Sequence, residues 1–354
     1  MNISLCMIMK NSSSTLTRVL DSVKDCGFEI VIVDTGSTDN SIEIAQTYTD
    51  KIYDFQWIDD FSAARNFSIS KATNDWILVL DSDEAITTID TAMLQDLTKK
   101  PVECLGYLTI RNHFGNEESD SVYTDTLDRF FNRTAWHYEG AIHEQLRPTR
   151  PLRRPDCDPL FDTGIWCDHT GYQGTKEEMY AKLKRNEALL LKELEKKGGD
   201  PYIYFQLGQC YNGFDDEKAL YYYSKGLEYD VDPTLGYVQM MVIAYGYALV
   251  HLERFDEALT LEGIYDEFAS SADFITLMGV IYMRSGQYLK AMTEFLKATM
   301  NPIAHTEGAN SFVPLYNMGI INEMAGNRTD AISYYERCGN FKPALERLSE
   351  LKQQ

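Results

Sequence analysis

The sequence predicts two domains of different class: an α/β domain built on a doubly wound sheet, then an all-α domain of helical repeats. Three observations carry this reading. Apolar, β-branched runs alternate with helix-spaced segments over residues 3–80. Two acidic loops, VDTGSTD and LDSDE, each follow such a run directly. Beyond residue 201 a Gly-to-Ala spacing recurs four times.

Taken in order, ISLCMIM (3–9) is a short strand, and SSSTLTRVLDSV (12–23) has helical spacing after a serine-rich start. EIVIV opens a β-branched strand that runs into the loop DTGSTDNS (34–41). SIEIAQTY (41–48) reads as a helix opening on a capping box, Ser41 with Ile42 and Glu43 behind it. KIYDFQW (51–57) is a strand, FSAARNFSISKAT (61–73) a helix and WILVL (76–80) a strand. Strand and helix alternating at these lengths predict a parallel sheet. Ligands of such sheets bind beyond the carboxyl ends of the strands, so both acidic loops are expected to face one crevice.

KEEMYAKLKRNEALLLKELEKKGGDP (176–201) is a charged amphipathic helix that stops at Gly198, Gly199 and Pro201, a hinge signature. Four segments then share a pattern: Gly208 to Ala219, Gly246 to Ala258, Gly279 to Ala291 and Gly319 to Ala331. The gap is 11 residues in the first and 12 in the others, and the alanines lie 39, 33 and 40 residues apart. Phe214, Phe255 and Tyr288 precede the alanine in three segments, and Arg328 in the fourth. Over 201–341 this resembles tetratricopeptide repeats, whose unit is about 34 residues, although their Trp and Pro positions are mostly missing. Small residues are expected where paired helices touch, with an aromatic filling the next layer. The layout is therefore 1–175, a linker helix over 176–200, and repeats over 201–354.

Bulk properties exclude some functions. Hydrophobic residues are 44% of the chain, too many for a disordered protein. A net charge of -21 argues against nucleic acid or an anionic membrane as the main partner. MMVIAYGYALV (240–250) is too short to span a bilayer, and MNISLCMIMKN has no cationic region ahead of its apolar run. Seven cysteines, an odd number without a CxxC pair, read as reduced thiols of a cytoplasmic protein.

The chemistry concentrates in the loops. Crowded carboxylates repel. Asp81, Asp83 and Glu84 therefore either point into water as a turn and helix cap or share a hard divalent cation. Asp34 ends a buried strand, Gly36 permits a tight turn, and Asp39 stands near the next helix start. Arg65 and Asn66, in DDFSAARN, approach the same crevice, where an arginine can pair with diphosphate or orient the acids.

IVDTGSTDNS, then DFSAARN, then WILVLDSDE, in that order, is similar to family 2 glycosyltransferases of the GT-A fold, over about residues 1–170. The resemblance implies that Asp34 contacts the uracil of a UDP-sugar. It implies that Asp81 and Asp83 hold the sugar-nucleotide through Mn2+ or Mg2+ and the ribose, with Gly36, Asp39, Arg65, Asn66 and Ser82 in the donor site. Most members read Asp-Asp-Gly-Ser in the first loop; Asp34-Thr35 here leaves the nucleotide base open. FFNRTAWHYEGAIHEQL (130–146) resembles the E-G-x-[IV]-H-E segment of a bacterial subgroup. That likeness makes Glu139 the first choice for the base that deprotonates the acceptor, Glu144 the second, and His143 a metal ligand or diphosphate contact. His169 in CDHTGY either closes over the diphosphate or caps the domain. The cluster Arg147, Arg150, Arg153 and Arg154 is either a solvated loop or an attractor for an acidic acceptor or diphosphate.

A transferase followed by repeats resembles the peptide glycosyltransferases that modify Cys or Ser of bacteriocin precursors. This implies a peptide acceptor and a homodimer formed through the repeats; a cell-envelope glycan is the alternative acceptor. Glucose and N-acetylglucosamine are equally allowed. A non-catalytic repeat scaffold is the reading of another class, and Asp34, Asp81, Asp83 and Glu139 argue against it. A nucleotidylyltransferase would need a glycine- and lysine-rich first loop, whereas MIMKNSSSTL has one lysine and no glycine.

Overall fold

The computed structural model describes residues 1–114, 121–151, 159–172 and 176–353. Arg153 and Arg154 lie outside them. The chain forms two compact units, Met1–Lys182 and Leu183–Gln354.

Among the described residues the first unit contains ten strands: β1 (Ile3–Met9), β2 (Glu29–Asp34), β3 (Ile52–Asp54), β4 (Trp76–Val79), β5 (Glu84–Thr88), β6 (Leu105–Phe114), β7 (Ser121–Asn132), β8 (Trp136–Glu139), β9 (Gln145–Pro148) and β10 (Leu160–Tyr172). Helices α1 (Leu16–Asp21), α2 (Ser41–Gln46), α3 (Phe61–Lys71) and α4 (Thr91–Leu97) connect them. Eight strands form one sheet in the order β3-β2-β1-β4-β7-β6-β10-β5. Its first four strands are parallel, as the alternation predicts. Beyond β4 the sheet is mixed, because β6 and β7 pair antiparallel and insert beside β4. Strand β10 then pairs parallel with β6 and antiparallel with β5. Strands β8 and β9 form a separate antiparallel pair.

Apart from Ser4, which bonds Glu29, β1 is apolar because both its faces are covered. Ile3, Leu5 and Met7 pack with Leu16, Val19 and Leu20, while Cys6 packs with Val31, Ile77, Val79 and Phe131. Helix α2 starts differently from expectation. Asp39, not a box of Ser41 with Glu43, receives the first amide: its Oδ1 accepts from the Ser41 N–H at 3.1 Å and the Ser41 hydroxyl at 2.5 Å. An Asp two residues ahead fills the acceptor role that the box would supply.

Helix α5 (Lys176–Lys197) carries the unit boundary, so the break falls inside the helix and not at Gly198-Gly199. The reason is packing. Leu183 is buried with Phe205, Tyr211, Ala219, Tyr223 and Met241, which ties the second half of α5 to the repeats. The second unit continues through α6 (Pro201–Tyr211), α7 (Asp216–Leu227), α8 (Gly236–His251), α9 (Phe255–Ala258), a 3-10 turn (Leu259–Ile264), α10 (Tyr265–Phe268), α11 (Ala272–Arg284), α12 (Tyr288–Met300), α13 (Phe312–Met324), α14 (Arg328–Arg337) and α15 (Lys342–Gln353). Among the described residues no helix is long and apolar enough to cross a membrane.

The recurring glycines mark close helix approach. A Cβ on Gly208 would collide with Tyr223, one on Gly319 with Tyr335, and one on Gly279 would lie 2.5 Å from Phe295 Cε1. These three aromatics are fully buried and fill the layer. Two of the three aromatics expected there do not, since Phe214 is 45% and Tyr288 40% exposed, while Phe255 packs half-buried against the core. Helix geometry explains the difference. The residue facing the glycine must come from the middle of the second helix, not from the turn before it. In the second repeat the second helix breaks into α9, the 3-10 turn and α10, and Gly246 meets Leu261 and Leu277 instead. We expect Gly279→Ala to destabilise the second unit by about 1 kcal/mol net. Overpacking costs about 1–3 kcal/mol and helix propensity returns up to about 1 kcal/mol. A urea midpoint equal to or above the parent's would refute this.

Candidate active site

The carboxyl ends of β1, β2 and β4 bring three loops together, and hydrogen bonds lock them. Asp34, buried at the end of β2, accepts from the Gly36 N–H at 2.9 Å and the Ser37 N–H at 3.0 Å. Gly36 sits at φ +100, which that tight return requires. The Thr35 amide and hydroxyl both donate to the Met9 carbonyl at 3.0 Å.

The serine-rich loop after β1 bridges the two acidic loops. Asn11 Oδ1 accepts from the Thr38 N–H at 2.7 Å, and the Ser12 N–H donates to Ser41 Oγ at 2.7 Å. The Ser13 N–H donates to Asp39 at 3.1 Å, and Ser41 and Ser13 together hold the Asp39 carboxyl down at about 2. On the other side Ser12 Oγ bonds Ser82 Oγ at 2.7 Å, and the Thr15 hydroxyl donates to the Ser82 carbonyl at 2.7 Å. Arg18 Nη2 donates to the Asp83 carbonyl and to Thr170 Oγ1, both at 2.9 Å. The crevice and Ser82 were expected from the sequence; Ser12 and Ser13 of the loop after β1 were not singled out as functional.

Asp81 and Asp83 have equal side-chain exposure, 29%, but opposite surroundings. Asp81 Oδ1 accepts from Arg65 Nη2 at 2.7 Å and Oδ2 from Arg129 Nη2 at 3.0 Å. Arg65 Nε also bonds Glu144, and Arg129 lies 3.6 Å from Glu84. Burial alone would raise the Asp81 carboxyl; the charges of Arg65 and Arg129 outweigh it and hold the acid well below its ordinary range. Glu84 goes the other way, raised by burial and then by the charge of Asp81. Asp81 was expected to ligate a metal; in this structure both its oxygens accept from arginines, at the hub of an ion network. Arg129 was not foreseen. Its only signal is an arginine set beside the apolar pair Phe130-Phe131, where burial demands a partner.

Asp83 faces His169. His169 Nε2 lies 3.4 Å from Asp83 Oδ2, and its Nδ1 is 2.7 Å from Asn112 Oδ1. Burial works against charging His169, yet the hydrogen bond and charge of Asp83, with Glu84 and Asp81 behind it, raise its pKa. Without a metal, the charged pair therefore stabilises the fold below the ordinary imidazole range. That contribution is lost as pH climbs through the raised value.

The β8–β9 hairpin supplies the remaining candidates. The Phe61 N–H anchors its loop by donating to the Ala141 carbonyl at 2.8 Å. Asn66 was expected in the donor site, but both ends of its amide bond the Tyr138 backbone, at 2.8 and 3.0 Å, which clips α3 to β8. Glu144 is committed to Arg65, with its side chain 9% exposed. Glu139 is open, 60% exposed, and pairs with His137 Nε2 at 2.9 Å. His143 adopts φ 51, and burial pushes its imidazole down to about 4, so it is neutral at pH 7. Among the described residues no group of three or more His, Cys, Asp and Glu is arranged to hold a metal. Asp81, Asp83 and His143 are thus not gathered as the expected ligand set. Arg147, on β9, and Arg150 are exposed.

Residues 4–153 match the family described as Glycosyl transferase family 2. The chain is 32% identical over 211 residues to a TPR repeat-containing protein of Synechococcus elongatus, covering 58% of this chain and 51% of that one. It spans about half the length of that relative. It is 25% identical over 303 residues to the SPbeta prophage-derived glycosyltransferase SunS of Bacillus subtilis, covering 84% of this chain and 69% of that one. The crystal structure of S. aureus TarS 1-349 aligns at a TM-score of 0.33 and 14% identity, over 83% of this chain and 90% of that one.

Proposed function

We propose that this chain, which carries an N-terminal glycosyltransferase domain of family 2, transfers a hexose from a UDP-sugar to an acceptor with inversion, and that Asp83 and His169 hold a divalent ion for the reaction. The observation that carries the reading is the facing pair. With Nδ1 bonded to an amide oxygen, neutral His169 presents a lone pair on Nε2 toward a carboxylate 3.4 Å away. Two acceptors face each other stably only with a proton or a metal ion between them. Two adjacent ligands of an ion bound at about 2.1 Å stand about 3.0 Å apart, so the pair fits Mn2+ or Mg2+ with little adjustment. When bound, that ion would offset charge on the departing diphosphate.

The chain's own groups supply the rest. Arg65 Nη1 is buried without a hydrogen-bond partner among the described residues, a donor left over for an anionic ligand. Asp34 shapes the nucleotide loop by holding the Gly36 and Ser37 amides. Glu139 is the base we favour, because it is open to an acceptor while Glu144 is engaged. Likeness to the glycosyltransferase SunS over 84% of the chain supports glycosyl transfer. The resemblance of the sequence to peptide glycosyltransferases is what favours a Cys or Ser side chain of a peptide as acceptor, a cytoplasmic setting and a homodimer formed through the repeats.

Calorimetric titration of UDP with and without Mn2+ tests the donor site. Binding is expected with manganese and not without it. It should weaken from pH 8 to pH 6, because protons compete for His169, whose pKa is raised. Absence of UDP binding under both conditions would sink the assignment.

A further inference from the structure

We infer that Asn112 is a positioning residue that selects the His169 tautomer, keeping the Nε2 lone pair directed at Asp83. The inference rests on the proposed role of Asp83 and His169. Sheet register places the parts. His169 of β10 stands opposite Asn112 of β6, and Asn112 stands opposite Tyr123 of β7. Asn112 Nδ2 donates to the Tyr123 carbonyl at 3.4 Å, which fixes the amide orientation and turns Oδ1 toward His169. An amide oxygen can only accept, so the 2.7 Å contact requires the proton on His169 Nδ1. A neutral imidazole has one N–H, and Nε2 is therefore the lone pair.

Strand alternation separates this row from its neighbours. Arg111 and His113 flank Asn112 on the opposite face and engage Asp168, at 2.7 and 3.5 Å. Without Asn112 the proton can move to Nε2 and donate to Asp83, the tautomer that shuts a cation out. Partners of a ligating imidazole typically contribute about 10–100-fold to metal affinity.

The test compares Asn112→Leu, which removes the acceptor, with Asn112→Asp, which keeps one; Asn112→Ala serves if the leucine variant does not fold. Nitrogen-15 spectra of histidine-labelled protein, with the His169 signals assigned by His169→Gln, report the tautomer at high pH. Manganese binding is read from the free-ion EPR signal in the presence of UDP. We expect Nδ1–H in the parent and the aspartate variant, a shift toward Nε2–H in the leucine variant, and manganese binding about 10–100-fold weaker there. An unchanged tautomer in the leucine variant would overturn the positioning role, whatever the metal does. If the tautomer shifts but the parent binds no manganese, the metal reading fails and the role of Asn112 stands.

Discussion

Asp83→Asn is expected to abolish manganese-dependent UDP binding and to lower kcat/KM by about 10^2–10^3, while leaving the fold intact. The size follows from removing one electrostatic group aimed at developing charge. The selectivity follows from the surroundings. The Asp83 carboxylate faces His169 Nε2 at 3.4 Å, and the backbone of Asp83 stays pinned by Arg18 at 2.9 Å. The same substitution takes away the main influence that raises His169, so its pKa should fall. Asp81→Asn is expected to behave in the opposite sense. It would leave Arg65 and Arg129 short of a counter-charge and cost stability first. Urea unfolding beside initial rates on both variants checks the contrast. An Asp83→Asn enzyme with parental kcat/KM, or a loss of stability equal to that of Asp81→Asn, would refute the division of labour.

That division was not legible in the sequence, although the loop was. LDSDE announced itself because three carboxylates follow a buried strand. Nothing local distinguishes Asp81 from Asp83, since the partners that do so are remote. Arg65 lies 16 residues before Asp81 and Arg129 lies 48 after it. His169 comes from β10, a strand that reaches this row only through the mixed half of the sheet. The parallel half was readable from hydrophobic alternation, because β1, β2 and β4 are buried on both faces and leave near-continuous apolar runs. The repeats were readable from glycine, whose position is set by an aromatic ring on the facing helix. Which aromatic was not readable: the pattern points to Phe214 and Tyr288, beside the alanines, while the buried rings are Tyr223, Phe295 and Tyr335. Spacing along a chain locates a helix contact, but the direction of the side chain decides which residue fills it.

Arg65→Met is expected to destabilise the first unit by about 3–5 kcal/mol, the usual cost of breaking a buried ion network from one side. At about 2–4 °C per kcal/mol for a unit of this size, its transition should fall by roughly 10 °C. The arginine is 5% exposed, donates to Asp81 and Glu144, and lies 5.6 Å over the Tyr138 ring. Its removal strands two carboxylates with Arg129 as the nearby compensation. If the contacts behaved as exposed surface pairs, the loss would stay under about 1 kcal/mol. Arg65→Lys should recover little, because one ammonium cannot reproduce two donors at fixed angles. Arg65→Met with Glu144→Leu should recover more, since removing both ends of a buried pair avoids a lone charge. The second unit reports on specificity, because its own unfolding should not move. A double variant no more stable than Arg65→Met would mean that Glu144 is not the principal partner of the arginine. Asp81 alone would then account for the cost.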